Sequence, residues 1–230
     1  QPLTLAKTIK NYLDEDAEQI RLPKNDIKLA NIDCLTMVAC GTAFYAALTA
    51  KYWFEKIARI KVEVDVASEF RYREPPVTKE TTAIFVSQSG ETADTLAALR
   101  YMSSQNAKII SVVNVPESSI ARESDLVLPL YVGPEIGVAS TKAFTAQLTV
   151  LALLALKIAK TKNVITEAQY CIYLEELKVI PELINQTLSI ESNIQKTAAE
   201  LVSSQDVIFL GRGAMYPLAM EGALKLKEIS

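Results

Sequence analysis

The sequence predicts an α/β fold in which a parallel sheet lies between helices. Two observations point there. Short apolar runs alternate with helical stretches over most of the 230 residues, the pattern of strands buried on both faces. Several of those runs end at a turn bearing glycine or serine that opens the next helix. Half of the residues are hydrophobic and 22% are charged, a balance able to fill such a core.

The elements follow in order. Residues 3–22 mix apolar and charged side chains at helical spacing, with Leu13, Ala17 and Ile20 on one face and Pro23 as the stop. Residues 34–40 read as a strand ending at Gly41, and the next helix runs through Trp53 to Ala58. Strands are expected at 62–67 and 83–87, then a helix over 91–104 with Ala93, Leu96, Ala97 and Leu99 facing inward. Two more strands, 109–115 and 126–132, precede a long apolar helix over 141–160. Residues 168–179 and 182–201 read as amphipathic helices separated at Pro181.

The last stretch repeats the first. Residues 207–210 read as a strand, and the turn from Gly211 opens a helix. Laying Gly41 over Gly213 pairs Phe44 with Tyr216, Ala47 with Ala219 and Ile57 with Ile229. The expected division is a helical segment at 1–26, a first domain at 27–163, a helical connector at 164–203 and the start of a second domain at 204–230. One strand and one helix bury no core, so the sequence reads as a piece of a longer protein. The helix 214–230 is expected to expose apolar surface and to self-associate.

Composition excludes several classes of function. The net charge is -3 with no basic run, so no electrostatic footprint for nucleic acid is present. There is no histidine, and Cys34, Cys40 and Cys171 form no C-x-x-C pair. A zinc site, a Ser-His-Asp triad and a Cys-His dyad within the chain are thereby excluded. The first residues lack a signal-peptide pattern. The apolar run 148–159 is shorter than the ~20 residues of a membrane span and is interrupted by Lys157, so it reads as a buried helix. The odd cysteine count without an export signal points to a reducing cytoplasm. Acid–base work falls to carboxylates, lysines or tyrosines, or to another chain.

The strongest local motif is Ser87-Gln88-Ser89-Gly90-Glu91-Thr92, where a buried strand passes into a helix. Ligands of open parallel sheets gather at such junctions. A helix N-terminus offers free N–H groups and partial positive charge, which suit a phosphate. Ser87, Ser89 and Thr92 add hydroxyls, and Gly90 permits close backbone approach. The loop has no lysine, which fits a monophosphate better than a nucleoside triphosphate. The plain alternative is a helix cap by Ser89 or Thr92; three hydroxyls and a glycine in six residues favour the ligand. Gly211-Arg212-Gly213 begins like a dinucleotide fingerprint, but Tyr216 stands where its third glycine belongs.

Two further turns, Cys40-Gly41-Thr42-Ala43 and Gly137-Val138-Ala139-Ser140-Thr141-Lys142, also join a strand to a helix. For Ser140 the spacing alone supports a simple N-cap as well as a ligand contact. In the final helix, Glu221, Lys225 and Glu228 share a face. Such pairs are commonly solvated surface pairs, yet a carboxylate beside an ammonium also suits proton transfer next to an imine. Spacing does not choose between the two.

At these motifs the sequence resembles the isomerase half of the glucosamine-6-phosphate synthase family. The match is carried by Ala39-Cys40-Gly41-Thr42, by residues 67–73, by Ser87 through Leu96, by Glu135 through Phe144, and by Glu221-Gly222-Ala223-Leu224-Lys225-Leu226-Lys227-Glu228-Ile229-Ser230. The resemblance implies flavodoxin-like sugar isomerase (SIS) domains, one whole here with the opening of a second. It implies that Ser87, Gln88, Ser89 and Thr92 bind the sugar phosphate, and that Thr42, Val138 and Ser140 line the sugar site. It implies Glu228 as the base moving a proton between the first two sugar carbons, with Lys225 assisting. The implied ligands are fructose 6-phosphate and glucosamine 6-phosphate, with ammonia from a glutaminase domain, in a homodimer needing no metal or redox cofactor.

Departures from the family are also visible. Ala43 stands where the family usually has a serine. The glutaminase domain, the ring-opening histidine contributed by a neighbouring subunit and the imine-forming lysine are absent from these 230 residues. The expectation is therefore binding without turnover by this piece alone. Competing readings are a non-catalytic sugar-phosphate module, another aldose-ketose isomerase or deglycase, and a dimerisation scaffold. The stretch 221–230 favours the synthase.

Overall fold

The computed structural model describes residues 1–78 and 80–229; Ser230, the last residue of the final motif, lies outside them. Five strands, β1 (Cys34–Ala39), β2 (Lys61–Val66), β3 (Thr82–Ser87), β4 (Lys108–Val113) and β5 (Leu126–Pro129), form one sheet. Their order is β2-β1-β3-β4-β5 and every pairing is parallel. This is the flavodoxin-like order, with its switch point between β1 and β3.

Alternation along the strands decides which layer each residue meets. Leu35, Met37, Ile84, Val86, Ile110 and Val112 face one core, against α2 (Gly41–Lys56) and α6 (Lys142–Thr161). Val38, Ala83, Phe85, Ile109 and Val113 face the other, with α3 (Ala67–Arg73), α4 (Ala93–Ser104) and α5 (Ser119–Arg122). By length and composition α6 could cross a membrane. Its 20 residues outrun the apolar stretch read from sequence, but Leu151, Leu153, Leu154 and Ile158 are buried in the core of this fold. Outside it, α1 (Pro2–Asn11) packs on α6 and on α7 (Glu167–Leu188).

Several expectations need correction. The first helix stops at Asn11 rather than at 22. The Asp14 carboxylate accepts from the N–H groups of Glu18 and Gln19 at 2.8 and 3.0 Å, a local competitor of the helix. Ala17 is left-handed at φ 58, and the chain doubles back to bridge Leu13 with Ile20. Leu13, Ala17 and Ile20 therefore share no helical face. The buried Ile20 N–H donates to the Tyr170 hydroxyl at 2.9 Å. Tyr170→Phe strands that donor and should cost about 1–3 kcal/mol, read as a lower urea midpoint. An unchanged midpoint would contradict the role given to this bond.

Pro181 does not separate two helices: α7 runs through it to Leu188, and the break precedes α8 (Glu191–Leu201). A helical proline costs about 3 kcal/mol. Continuity keeps Tyr173, Leu177, Ile180 and Ile184 in one stripe, facing a groove walled by Trp53, Leu148 and Leu156; a break would turn Ile184 away. The start of α7 is fixed by a capping box between Thr166 and Gln169.

Residues 207–210 are not a strand. Among the described residues nothing pairs with them, and a strand has no stability without a ladder partner; Ile208 is 82% and Leu210 88% exposed. The inward row of α4 is Thr95, Ala98, Leu99 and Met102, with Ala93 exposed. Thr95 is buried in that row beside the apolar residues. The strands at 108–113 and 126–129 stop short of 115 and 132, and α3 and α5 are short helices additional to those expected. The last helix, α9 (Met215–Ile229), packs on α2 and leaves Met215, Tyr216 and Ile229 exposed.

Candidate functional site

The turns after β1 and β3 flank the switch point of the sheet. After β3, Ser87 Oγ accepts from Gly90 N–H at 3.0 Å and lies 3.2 Å from Thr92 Oγ1. Ser89 Oγ accepts from Glu91 N–H at 3.2 Å. Gly90 is left-handed at φ +67, a backbone that L residues resist. The turn is seated on α5: Ile120 N–H donates to the Gly90 carbonyl at 3.0 Å, and Ser119 N–H to the Glu91 carboxylate at 2.7 Å. That bond from Ser119 holds the Glu91 carboxyl below the usual carboxylate range.

Helix α4 starts without a hydroxyl cap. Thr92 is its N-cap, yet the Thr92 side chain makes no capping bond. Ser89 spans only to Glu91. The capping alternative therefore fails for both residues. Without a capping side chain, the positive end of the α4 dipole is left for an anion.

The third turn is organised by Glu135, for which the motif alone suggests no role. Its carboxylate accepts from Ser140 Oγ at 3.3 Å, Thr141 N–H at 2.9 Å, Thr141 Oγ1 at 3.1 Å and Ala143 N–H at 3.2 Å. The N-cap of α6 is Thr141, not Ser140. Glu135 thus supplies the cap from outside the helix. The only sequence hint was a carboxylate shortly ahead of a helix start.

These turns enclose one cavity of about 270 Å³. Thr42, Ser87, Gln88, Ser89, Thr92, Val138 and Ser140 all line it, with Ala43 presenting a methyl where the family usually has a serine. Thr95 and Gln147 also line it; Gln147 lies inside a helix whose sequence is otherwise largely apolar, which hides it as a site residue. A larger groove of about 400 Å³ lies between α2, α6 and α7, but its lining is mostly apolar. Polar groups converge in the smaller cavity, which makes it the candidate site.

Lys225 and Glu228 do not line the cavity. They connect to it through Glu221, only 5% exposed, whose Oε1 accepts from Thr42 Oγ1 at 3.0 Å. Lys225 Nζ lies 3.5 Å from that carboxylate and 2.5 Å from Glu228 Oε2. Burial pushes the Glu221 carboxyl above the usual range, against the opposing effects of the Thr42 bond and the Lys225 charge. The spacing rule that grouped Glu221, Lys225 and Glu228 gave no sign of the contact with Thr42, which is tertiary.

Comparison with known proteins fits this geometry. The SIS domain model matches residues 28–157. A glutamine–fructose-6-phosphate aminotransferase (isomerizing) from Brucella abortus is 54% identical over the whole chain, which spans 38% of that protein's length. The C-terminal domain of glucosamine-fructose-6-phosphate aminotransferase from Francisella tularensis superposes with a TM-score of 0.95 at 45% identity, covering 100% of this chain and 65% of that one. A glucosamine-6-phosphate deaminase from Thermotoga maritima gives 0.72 at 25% identity, covering 98% and 63%. The matched span takes in the sheet from β1 to β5 and the three turns around the cavity. On that ground the chain belongs to the SIS domain family.

Proposed function

We propose that this chain is the sugar-phosphate-binding isomerase portion of an enzyme that converts fructose 6-phosphate and glutamine-derived ammonia to glucosamine 6-phosphate. The observation carrying the reading is the start of α4, left without a capping hydroxyl beside a cavity lined by Ser87, Ser89 and Thr92. A phosphate monoester there completes the hydrogen bonding of the helix start. The sugar carbons then extend toward Thr42 and the turn at Val138 and Ser140. Glu228 is the proton-transfer base, and Lys225 holds it as an ion pair; Glu221 ties both to Thr42. The reaction draws on no metal or redox cofactor.

The surrounding assignments follow from the same reading. The partners are a glutaminase domain, the remainder of a second SIS domain and a second copy in a homodimer. The protein works in the cytoplasm, apart from membranes and nucleic acid. The 230 residues contain no histidine to open the sugar ring, so alone they bind without turning over. Glucosamine 6-phosphate formed from fructose 6-phosphate and ammonia by the chain alone would contradict this. A second reading, a deaminase of glucosamine 6-phosphate, is favoured by the Thermotoga maritima neighbour and uses the same cavity.

Calorimetric titration tests the site. Fructose 6-phosphate should bind, and Ser89→Ala should weaken it about tenfold or more, the loss of one hydrogen bond to a charged group. Glucose 6-phosphate run in parallel measures preference for the ketose. Equal heats for the wild type and Ser89→Ala would contradict the assignment.

A further inference from the structure

We propose that Gln147 and Thr95 form a polar floor to this cavity that reads the hydroxyl-bearing carbon chain of the ligand separately from its phosphate. The inference rests on the sugar-phosphate reading above. Gln147 and Thr95 are each 1% exposed and line the cavity beside the phosphate turn. Gln147 Oε1 and Thr95 Oγ1 are both buried, and neither has a hydrogen-bond partner among the described residues.

An unpaired buried polar atom costs about 1–3 kcal/mol, and an apolar side chain of the same shape avoids that cost. Methionine in place of Gln147 and valine in place of Thr95 would fill similar space. Two such atoms on the wall of one cavity point to a partner that arrives with the ligand. They reach it from opposite layers, Thr95 on α4 and Gln147 on α6.

The chemistry of the atoms names the part of the ligand they meet. An amide oxygen only accepts, so it needs an O–H or N–H. A phosphate dianion has none to give. The hydroxyls of a sugar chain do. Thr95 can donate or accept and sits one helical turn beyond Thr92, on the same face of α4. The contact is direct or passes through one ordered water, which is enthalpically close to a direct bond.

The test compares fructose 6-phosphate with inorganic phosphate as calorimetric probes of the 230-residue chain, and records unfolding midpoints without ligand. Gln147→Met and Thr95→Val are each expected to weaken fructose 6-phosphate about tenfold, one hydrogen bond's worth. Their affinity for inorganic phosphate should stay unchanged, and their midpoints should hold or rise. Unchanged affinity for fructose 6-phosphate in both variants would overturn the proposal. So would a parallel loss for both probes with a lowered midpoint, which marks the pair as ordinary core. A wild type that binds neither probe would remove the sugar-phosphate reading itself, and this floor with it.

Discussion

Gly90→Ala is expected to abolish fructose 6-phosphate binding and to destabilise the fold by about 2–4 kcal/mol, the combined cost of a disfavoured backbone and an overpacked contact. Gly90 has φ +67, and a Cβ there would lie 2.0 Å from Ser118 Oγ and 2.5 Å from Ser118 Cβ. Ser118 cannot move aside freely. It is buried and caps α5, accepting from Ala121 N–H at 3.4 Å. The strain would instead fall on the turn, where Gly90 N–H meets Ser87 Oγ and the Gly90 carbonyl meets Ile120. Those bonds set the shape of the turn. Adding Ser118→Gly should recover part of the stability, because it removes the clash and leaves the left-handed backbone. A Gly90→Ala protein that binds within about threefold of wild type, under 1 kcal/mol, would show that the turn does not hold the ligand.

The second large effect is expected at Glu221. Glu221→Ala leaves Thr42 and Lys225 without their shared acceptor and should loosen α9 from α2 by about 1–3 kcal/mol, the cost of stranding buried donors. Hydrogen-exchange protection of α9 should fall accordingly, while the central strands keep theirs. The same residue gives the contact a pH dependence. Burial raises the folded-state pKa of Glu221, so folded protein binds its proton more tightly than unfolded chain does. The stabilisation is fully present below the ordinary value of 4.5 and is lost as pH rises through the raised folded value. Glu221→Gln keeps an acceptor for Thr42 and removes the titration, so α9 protection should become flat with pH over that window. Asp14, Glu91 and Glu123 have lowered values and act with the opposite sign, losing stabilisation as pH falls. Protection factors confined to α9 isolate Glu221 from them. A Glu221→Gln chain that keeps the wild-type slope would contradict the assignment.

What the sequence made legible was the part governed by local periodicity. Apolar runs at 34–40 and 83–87 became central strands because both faces of such runs are buried, and the turns that follow them became the walls of the cavity. Tertiary competition was not legible. Asp14 closes a turn that no apolar count foresees, and the stripe through Ile184 carries α7 past Pro181 because a groove waits for it. The unpaired strand-like segment at 207–210 shows the converse, since its composition suits a ladder that the described residues do not supply. Within the site, the hydroxyls of Ser87, Ser89 and Thr92 were visible as a cluster. Glu135, Gln147 and the Thr42–Glu221 bond were not, because each depends on elements distant in sequence.

The most direct measurement is amide chemical-shift mapping of the labelled chain during titration with fructose 6-phosphate and, separately, inorganic phosphate. The account predicts that both ligands shift the amides of Gln88, Ser89, Gly90, Glu91 and Thr92 and the first turn of α4, with fructose 6-phosphate also shifting those around Thr42 and Ser140. Shifts confined to the apolar groove near Trp53 and Tyr173, with the turn at 87–92 silent, would contradict it.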